Sequence, residues 1–163
     1  MIGIIKEIEE KDIDACVNVI RASFQTVADE FGFTEGNAPR YTAFATDTRR
    51  IRWHLLGEQR PMYAYFDGNS IVGYYSLVLQ DNNECELNNL CVLPTYRHKG
   101  VGEKLLLDSF DKAKAFGCTK INIGIVEENQ ILHKWYENFG FVHVGCKKFD
   151  FLPFTCGYMI KNL

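Results

Sequence analysis

The chain has no C-x-x-C pair, no metal-spaced histidines and no long apolar run. Cys16, Cys85, Cys91, Cys118, Cys146 and Cys156 occur singly inside apolar patterns. That argues against a disulfide frame or a zinc site and reads as buried thiols in a reducing cytoplasm. His54, His98, His133 and His143 show no ligand spacing, so no metal is expected. No apolar stretch approaches the ~18 residues that a membrane span needs, and Met1-Ile2-Gly3 leads into charged residues, not into a secretory leader. A surplus of positive charge is missing as well: 18 Lys and Arg face 21 Asp and Glu, a net charge of −3. Neither a membrane nor a nucleic acid is an expected partner. Repeats, low-complexity tracts and linkers are absent, and 163 residues suit one domain large enough to bury a core.

Hydrophobic residues make up 47% of the chain and order it into alternating elements. Loose alternation from Ile2 to Ile8 predicts a strand. Ile13, Cys16, Val17, Ile20, Phe24, Val27 and Ala28 keep the helical period, so a helix is expected over 11–31, ended by Gly32. Turn formers fill 33–46, and a second helix is expected over 47–56. Two strands, 62–66 and 71–79, flank Asp67-Gly68-Asn69-Ser70, a tight-turn sequence. After the central stretch come a strand over 119–126, a helix over 129–139, and strands over 141–149 and 154–161. The order β-α-α-β-β-β-α-β-α-β-β predicts an α/β fold, a mixed sheet flanked by helices.

The central stretch is residues 84–116. Leu87, Leu90, Val92 and Leu93 read as a strand stopped by Pro94, which has no backbone N–H to give a ladder. Arg97, His98, Lys99, Gly100, Val101 and Gly102 form a basic loop, and Leu105, Leu106, Phe110 and Ala113 continue as a helix. A helix start leaves N–H groups unpaired at the positive end of its dipole. Glycines let an anion approach that backbone, so the loop reads as an anion site, most naturally for phosphate. The P-loop string G-x-x-x-x-G-K-[ST] does not occur. Gly100 and Gly102 give two glycines of a dinucleotide fingerprint, but Leu105 stands at the third position and Lys120 lies near the acid's place.

Arg97 to Gly102 fits R/Q-x-x-G-x-G/A, preceded by Leu90-Cys91-Val92-Leu93-Pro94-Thr95-Tyr96 and followed downstream by Trp135-Tyr136-Glu137-Asn138-Phe139-Gly140-Phe141. In these three strings the chain resembles the GNAT superfamily of acyl-CoA-dependent N-acetyltransferases. The close matches lie between residues 84 and 145, and the element order extends the likeness over the whole length. The resemblance implies a GNAT-like fold, acetyl-CoA as co-substrate and an amine acceptor, either a small molecule or a peptide. It also implies that the pyrophosphate of coenzyme A lies on Arg97–Gly102.

The apolar phase of the central strand slips between Cys85 and Leu87, which are odd, and Leu90 and Val92, which are even. Such a slip suggests a bulge near Asn88-Asn89; a strand buried on both faces would give the same pattern without one. GNAT enzymes carry a bulge here, and the likeness implies that backbone groups around Leu90, Cys91 and Val92 pair with the pantetheine arm. A donor among them would face the oxyanion of the tetrahedral intermediate. The family's usual glutamate slot holds Asn88, which cannot act as a base. Glu86 is the nearest carboxylate, acting through a water, or it belongs to a solvated strand end. Asn129 and Tyr136, two turns apart on one helix face, match the family's N-x₆-Y. Asn129 also suits an N-cap. Tyr136 is either core beside Trp135 or, as the likeness implies, the acid for the departing thiolate, since a phenol with a pKa near ~10 is protonated at neutral pH.

Phe149, Phe151, Phe154 and Tyr158 cluster near the C-terminus as acceptor wall, homodimer interface or plain core. The 33–46 loop is the expected acceptor contact. The expected activity is direct acetyl transfer to a primary amine in a ternary complex in the cytoplasm. The rival is a non-catalytic acyl-CoA-binding regulatory domain.

Overall fold

The computed structural model of the protein describes residues 2–163. Its strands are β1 (Ile4–Glu7), β2 (Met62–Asp67), β3 (Ser70–Leu79), β4 (Glu84–Val92), β5 (Lys120–Val126), β6 (Val142–Lys148) and β7 (Thr155–Asn162). Its helices are α1 (Ile13–Phe31), α2 (Thr42–Ala45), α3 (Thr48–Arg52), α4 (Val101–Ala115) and α5 (Gln130–Asn138). The strands form one mixed sheet in the order β1-β2-β3-β4-β5-β7-β6. Among the described residues only the β4–β5 pair is parallel. The α/β architecture and the order of the long elements are those the sequence predicts.

Periodicity explains why helices cover both faces of the sheet. On one face, Ile13, Cys16, Val17 and Ile20 of α1 bury against Ala64, Phe66, Tyr74 and Cys91. On the other, Leu105, Leu106 and Phe110 of α4 bury against Tyr65, Tyr75, Leu77 and Leu87. Leu105 and Leu106 are fully buried, each stabilising the fold by roughly 1.5–3 kcal/mol relative to exposure. Gly73 lets α4 come close to the sheet: a Cβ there would stand 2.7 Å from Leu105 Cδ1 and 3.3 Å from the Cys91 carbonyl oxygen.

The register of β4 slips where the apolar phase does. Cys91 faces Tyr74 and Asn88 faces Ser76, so Asn89 and Leu90 share Tyr75 as their single opposite residue. Asn89 takes the left-handed conformation, φ 55°, as one residue of an antiparallel bulge often must. The inserted residue moves Leu90 and Val92 to the face already occupied by Cys85 and Leu87. Of the two readings of the phase change, the bulge is the one found.

Several boundaries differ from expectation. The first strand is only Ile4–Glu7, and the loop over 33–46 contains the short α2. The helix expected over 47–56 is α-helical only to Arg52; Trp53–Gly57 widens into a π-type turn. Asp47 caps its start, with Oδ1 accepting from Arg50 N at 2.7 Å. Cys16, Cys85, Cys91 and Cys118 are buried thiols, but Cys146, on the edge strand β6, is exposed, and Cys156, at the start of β7 beside it, is half-buried.

His54, in the widened turn, has a buried Nδ1 with no hydrogen-bond partner among the described residues. Burial first, then Arg60, lowers its pKa from 6.5 to about 4. The unfolded chain therefore takes up a proton near pH 6.5, while the folded one does so only near pH 4. Stability linked to His54 is present above that window and is lost as pH falls through it. Replacing His54 with Gln should flatten the decline in urea-measured stability between pH 6.5 and 4 relative to wild type; parallel pH profiles would contradict this account.

Candidate functional site

The parallel pairing of β4 with β5 covers only Glu84–Glu86 against Lys120–Asn122. Beyond it the strands part, and the edge of β4 that faces β5 carries no ladder. A cavity of about 500 Å³ opens in this split. Glu86, Asn88 and Leu90 of β4, Ile125 of β5, and Asn129 and Tyr136 at α5 line its central part. The bulge places Asn89 and Leu90 against the cavity, where free strand-edge groups can pair with an extended ligand.

Tyr136 is held by edge-on packing against Trp135, at 5.0 Å between centroids, and Phe141, at 5.3 Å. It is 6% exposed, lines the cavity, and its hydroxyl has no hydrogen-bond partner among the described residues. Burial first, and the neighbouring Cys91 second, push its phenol above the ordinary value. The group is therefore protonated at neutral pH and can act as a donor. Asn129 is the N-cap of α5, with Oδ1 accepting from Leu132 N at 3.2 Å. Glu86 accepts a hydrogen bond from Asn88 Nδ2 at 2.7 Å. Asn88, unsuited to be a base, thus orients the carboxylate two residues before it.

The basic loop lies at the start of α4, beyond a 3₁₀ turn at Pro94–Tyr96. His98 (φ 61°) and Gly100 (φ 81°) are both left-handed. Among the described residues the N–H groups of His98, Lys99 and Gly100 have no protein partner, and the first turn of α4 adds further unpaired N–H groups. The segment is an anion nest at a helix N-terminus. His98, Lys99 and Gly100 are exposed, Val101 is buried, and a Cβ on Gly102 would meet only ordinary contacts at 3.7 Å from Trp135 and Val92.

Arg97 corrects an expectation. Its guanidinium does not turn to the loop: Nε donates to Val92 O at 3.3 Å, and the terminal nitrogens donate to Thr26 Oγ1 at 3.0 Å and Ser23 O at 2.9 Å. It ties the loop to α1. Cys91 also points away from the cavity, into the α1 face, while Val92 packs beneath the start of α4. The structure thus brings Glu86, Leu90, Asn129 and Tyr136 together, sets His98–Gly102 at the end of the same strand, and leaves the Arg97 and Cys91 side chains outside. Arg40, Asn122 and Cys156 also line the cavity. None carries a sequence signal, because each is set there by loop path or strand splay.

The sequence profile of the Acetyltransferase (GNAT) family matches residues 24–141. An uncharacterised N-acetyltransferase of Mycobacterium tuberculosis is 29% identical over 119 residues, 72% of this chain and 70% of that one. The structure of PaiA N-acetyltransferase from Thermoplasma acidophilum, in complex with coenzyme A, superposes with a TM-score of 0.78 at 19% identity, covering all of both chains. YncA of Salmonella typhimurium, a putative acetyltransferase solved with acetyl-CoA, gives 0.73 at 20% identity, over 99% of this chain and 94% of that one.

The two accounts of Arg97 make different predictions. As a tie to α1, its replacement by Ala should remove charge-assisted bonds to two backbone carbonyls and cost on the order of 2 kcal/mol, read by urea denaturation. A side chain serving only an outside anion would leave the stability of the free protein unchanged.

Proposed function

The chain belongs to the GNAT acetyltransferase family, and on that premise we propose that it transfers acetyl from acetyl-CoA to a primary amine by direct attack in a ternary complex. The observation that carries the proposal is the free, protonated Tyr136 hydroxyl in the same cavity as the Glu86–Asn88 pair. The residues present suit coenzyme A as co-substrate. The N–H nest of His98–Gly100 and the start of α4 suit a pyrophosphate. The edge of β4 at Leu90–Val92 has no β5 partner, and its groups other than Val92 O, which Arg97 Nε takes, suit an amide-bearing arm whose path Asn129 borders.

In the step proposed, the neutral amine nitrogen bonds to the thioester carbonyl carbon, and the carbon–sulfur bond then breaks. A backbone N–H at the bulge stabilises the transient oxyanion. Tyr136 gives its proton to the leaving sulfur, and the proton shed by the amine passes through water to Glu86. Asn88 keeps the Glu86 carboxylate aimed. We place the reaction in the cytoplasm, where the free thiols of Cys146 and Cys156 suit a reducing milieu.

Two experiments test this reading. Acetyl-CoA should raise the melting temperature by mass action, and NAD should not; the reverse order would remove the basis for the pyrophosphate site. Tyr136→Phe keeps the ring and its packing and removes the proton donor. Its kcat should fall by ~10²-fold or more where chemistry limits the rate, with acetyl-CoA affinity close to wild type. An unchanged kcat would make the tyrosine a packing residue. Failure of every amine to turn over would favour a regulatory acyl-CoA-binding domain.

A further inference from the structure

The cavity has a second half, on the α1 side of the sheet. Phe24 and Val27 of α1, Arg40 and Tyr41 of the loop before α2, and Phe151 and Phe154 of the loop between β6 and β7 form its walls. Phe154 packs at a tilt on Phe33, 4.8 Å between centroids, and meets Tyr41 edge-on at 5.8 Å, so the wall is a packed aromatic block joined to the core. Tyr136, Leu132 and Asn129 border the cavity from α5, on the α4 side. Under the transferase reading, acetyl-CoA occupies the half bounded by α5, and the amine acceptor enters through the aromatic half.

Charge in this cavity is sparse and specific. Of the described residues lining it, Arg40 alone is a cation and Glu86 alone a carboxylate. The Arg40 guanidinium lies 4.6 Å from the centroid of the Phe151 ring. Among the described residues it has no carboxylate partner and no hydrogen bond. A guanidinium beside an aromatic ring, with its N–H groups otherwise unpaired, keeps its fork open for a planar anion. At the other end, Glu86 is held by Asn88 beside the strand edge where transfer is proposed.

We propose, resting on the transferase reading, that the acceptor is an amino acid or short peptide with one free amine, a carboxylate that pairs with Arg40, and an apolar body that fills the aromatic half. A polyamine fits poorly. Its second and third ammonium groups would lie against aromatic walls with no further carboxylate and would meet the Arg40 charge, a like-charge contact. A neutral amine would leave Arg40 without its ligand.

The test compares two arms of acceptors with acetyl-CoA held saturating. L-phenylalanine, L-leucine and the dipeptide Leu-Phe carry a carboxylate; phenethylamine, isoamylamine, Leu-Phe amide and spermidine do not. The best member of the first arm should exceed its carboxylate-free counterpart in kcat/KM by about tenfold or more. Arg40→Gln should collapse that ratio towards unity, and Arg40→Lys should restore part of it. Because Arg40 is exposed, its replacement should leave the melting temperature near wild type. A best rate with spermidine or a carboxylate-free amine, or a ratio that survives Arg40→Gln, would overturn the substrate class while leaving the transferase reading intact. If acetyl-CoA stabilises the protein but no amine in either arm is turned over, the transferase reading fails and this inference with it.

Discussion

Asn89 and Leu90 occupy the space opposite one residue of β3, Tyr75. An inserted residue bends the strand that carries it and increases its local twist. Here that bend accounts for parallel pairing with β5 stopping at Glu86, although β5 continues to Val126. The same slip decides which side chains of β4 reach which helix layer, since Leu90 and Val92 come to the face of Cys85 and Leu87. A single backbone irregularity thus opens the cavity, frees a strand edge to line it, and keeps both hydrophobic layers filled.

The elements around that split are fixed by ordinary packing, which lets a few polar groups stay free. α4 is drawn onto β3 at Gly73 and begins at left-handed Gly100, so its unpaired N–H groups gather where β4 ends. Arg97 spends its charge on Ser23, Thr26 and Val92, and so fixes where the loop sits without occupying the nest. α5 presents Tyr136 from a cage of Trp135 and Phe141. Rigid surroundings hold these groups at their positions, the condition for electrostatic and acid–base catalysis.

Much of this was legible in the chain. The long helices, the hairpin and the succession of elements along the chain follow periods of 3.6 and 2 that need no tertiary information, and the change of phase within 84–93 marked the bulge to within a residue. The glycine pattern marked the nest because left-handed backbone and an unpaired helix start are local properties. What could not be read was set by distant partners. A loop arginine gives no local sign of whether it faces an anion or Ser23, 74 positions away. The hydrogen bond from Asn88 to Glu86 depends on two residues of one strand sharing a face beside an open edge. For Phe151 and Phe154 the sequence left wall, interface and core open, and only the path of their loop across the end of the split makes them both packed and part of the cavity wall. The π-type turn after Arg52 also escaped the helical period, which continues through it to Leu56.

The account depends most on the claim that the open edge of β4 and the start of α4 form one continuous binding track for the acyl carrier. Backbone amide NMR shifts recorded while coenzyme A is titrated into the protein test it directly. The largest changes should fall on two separate stretches, Asn89–Val92 and His98–Glu103, and both should follow one binding curve. Changes confined to the nest, with the amides of Asn89–Val92 unmoved at saturation, would contradict it.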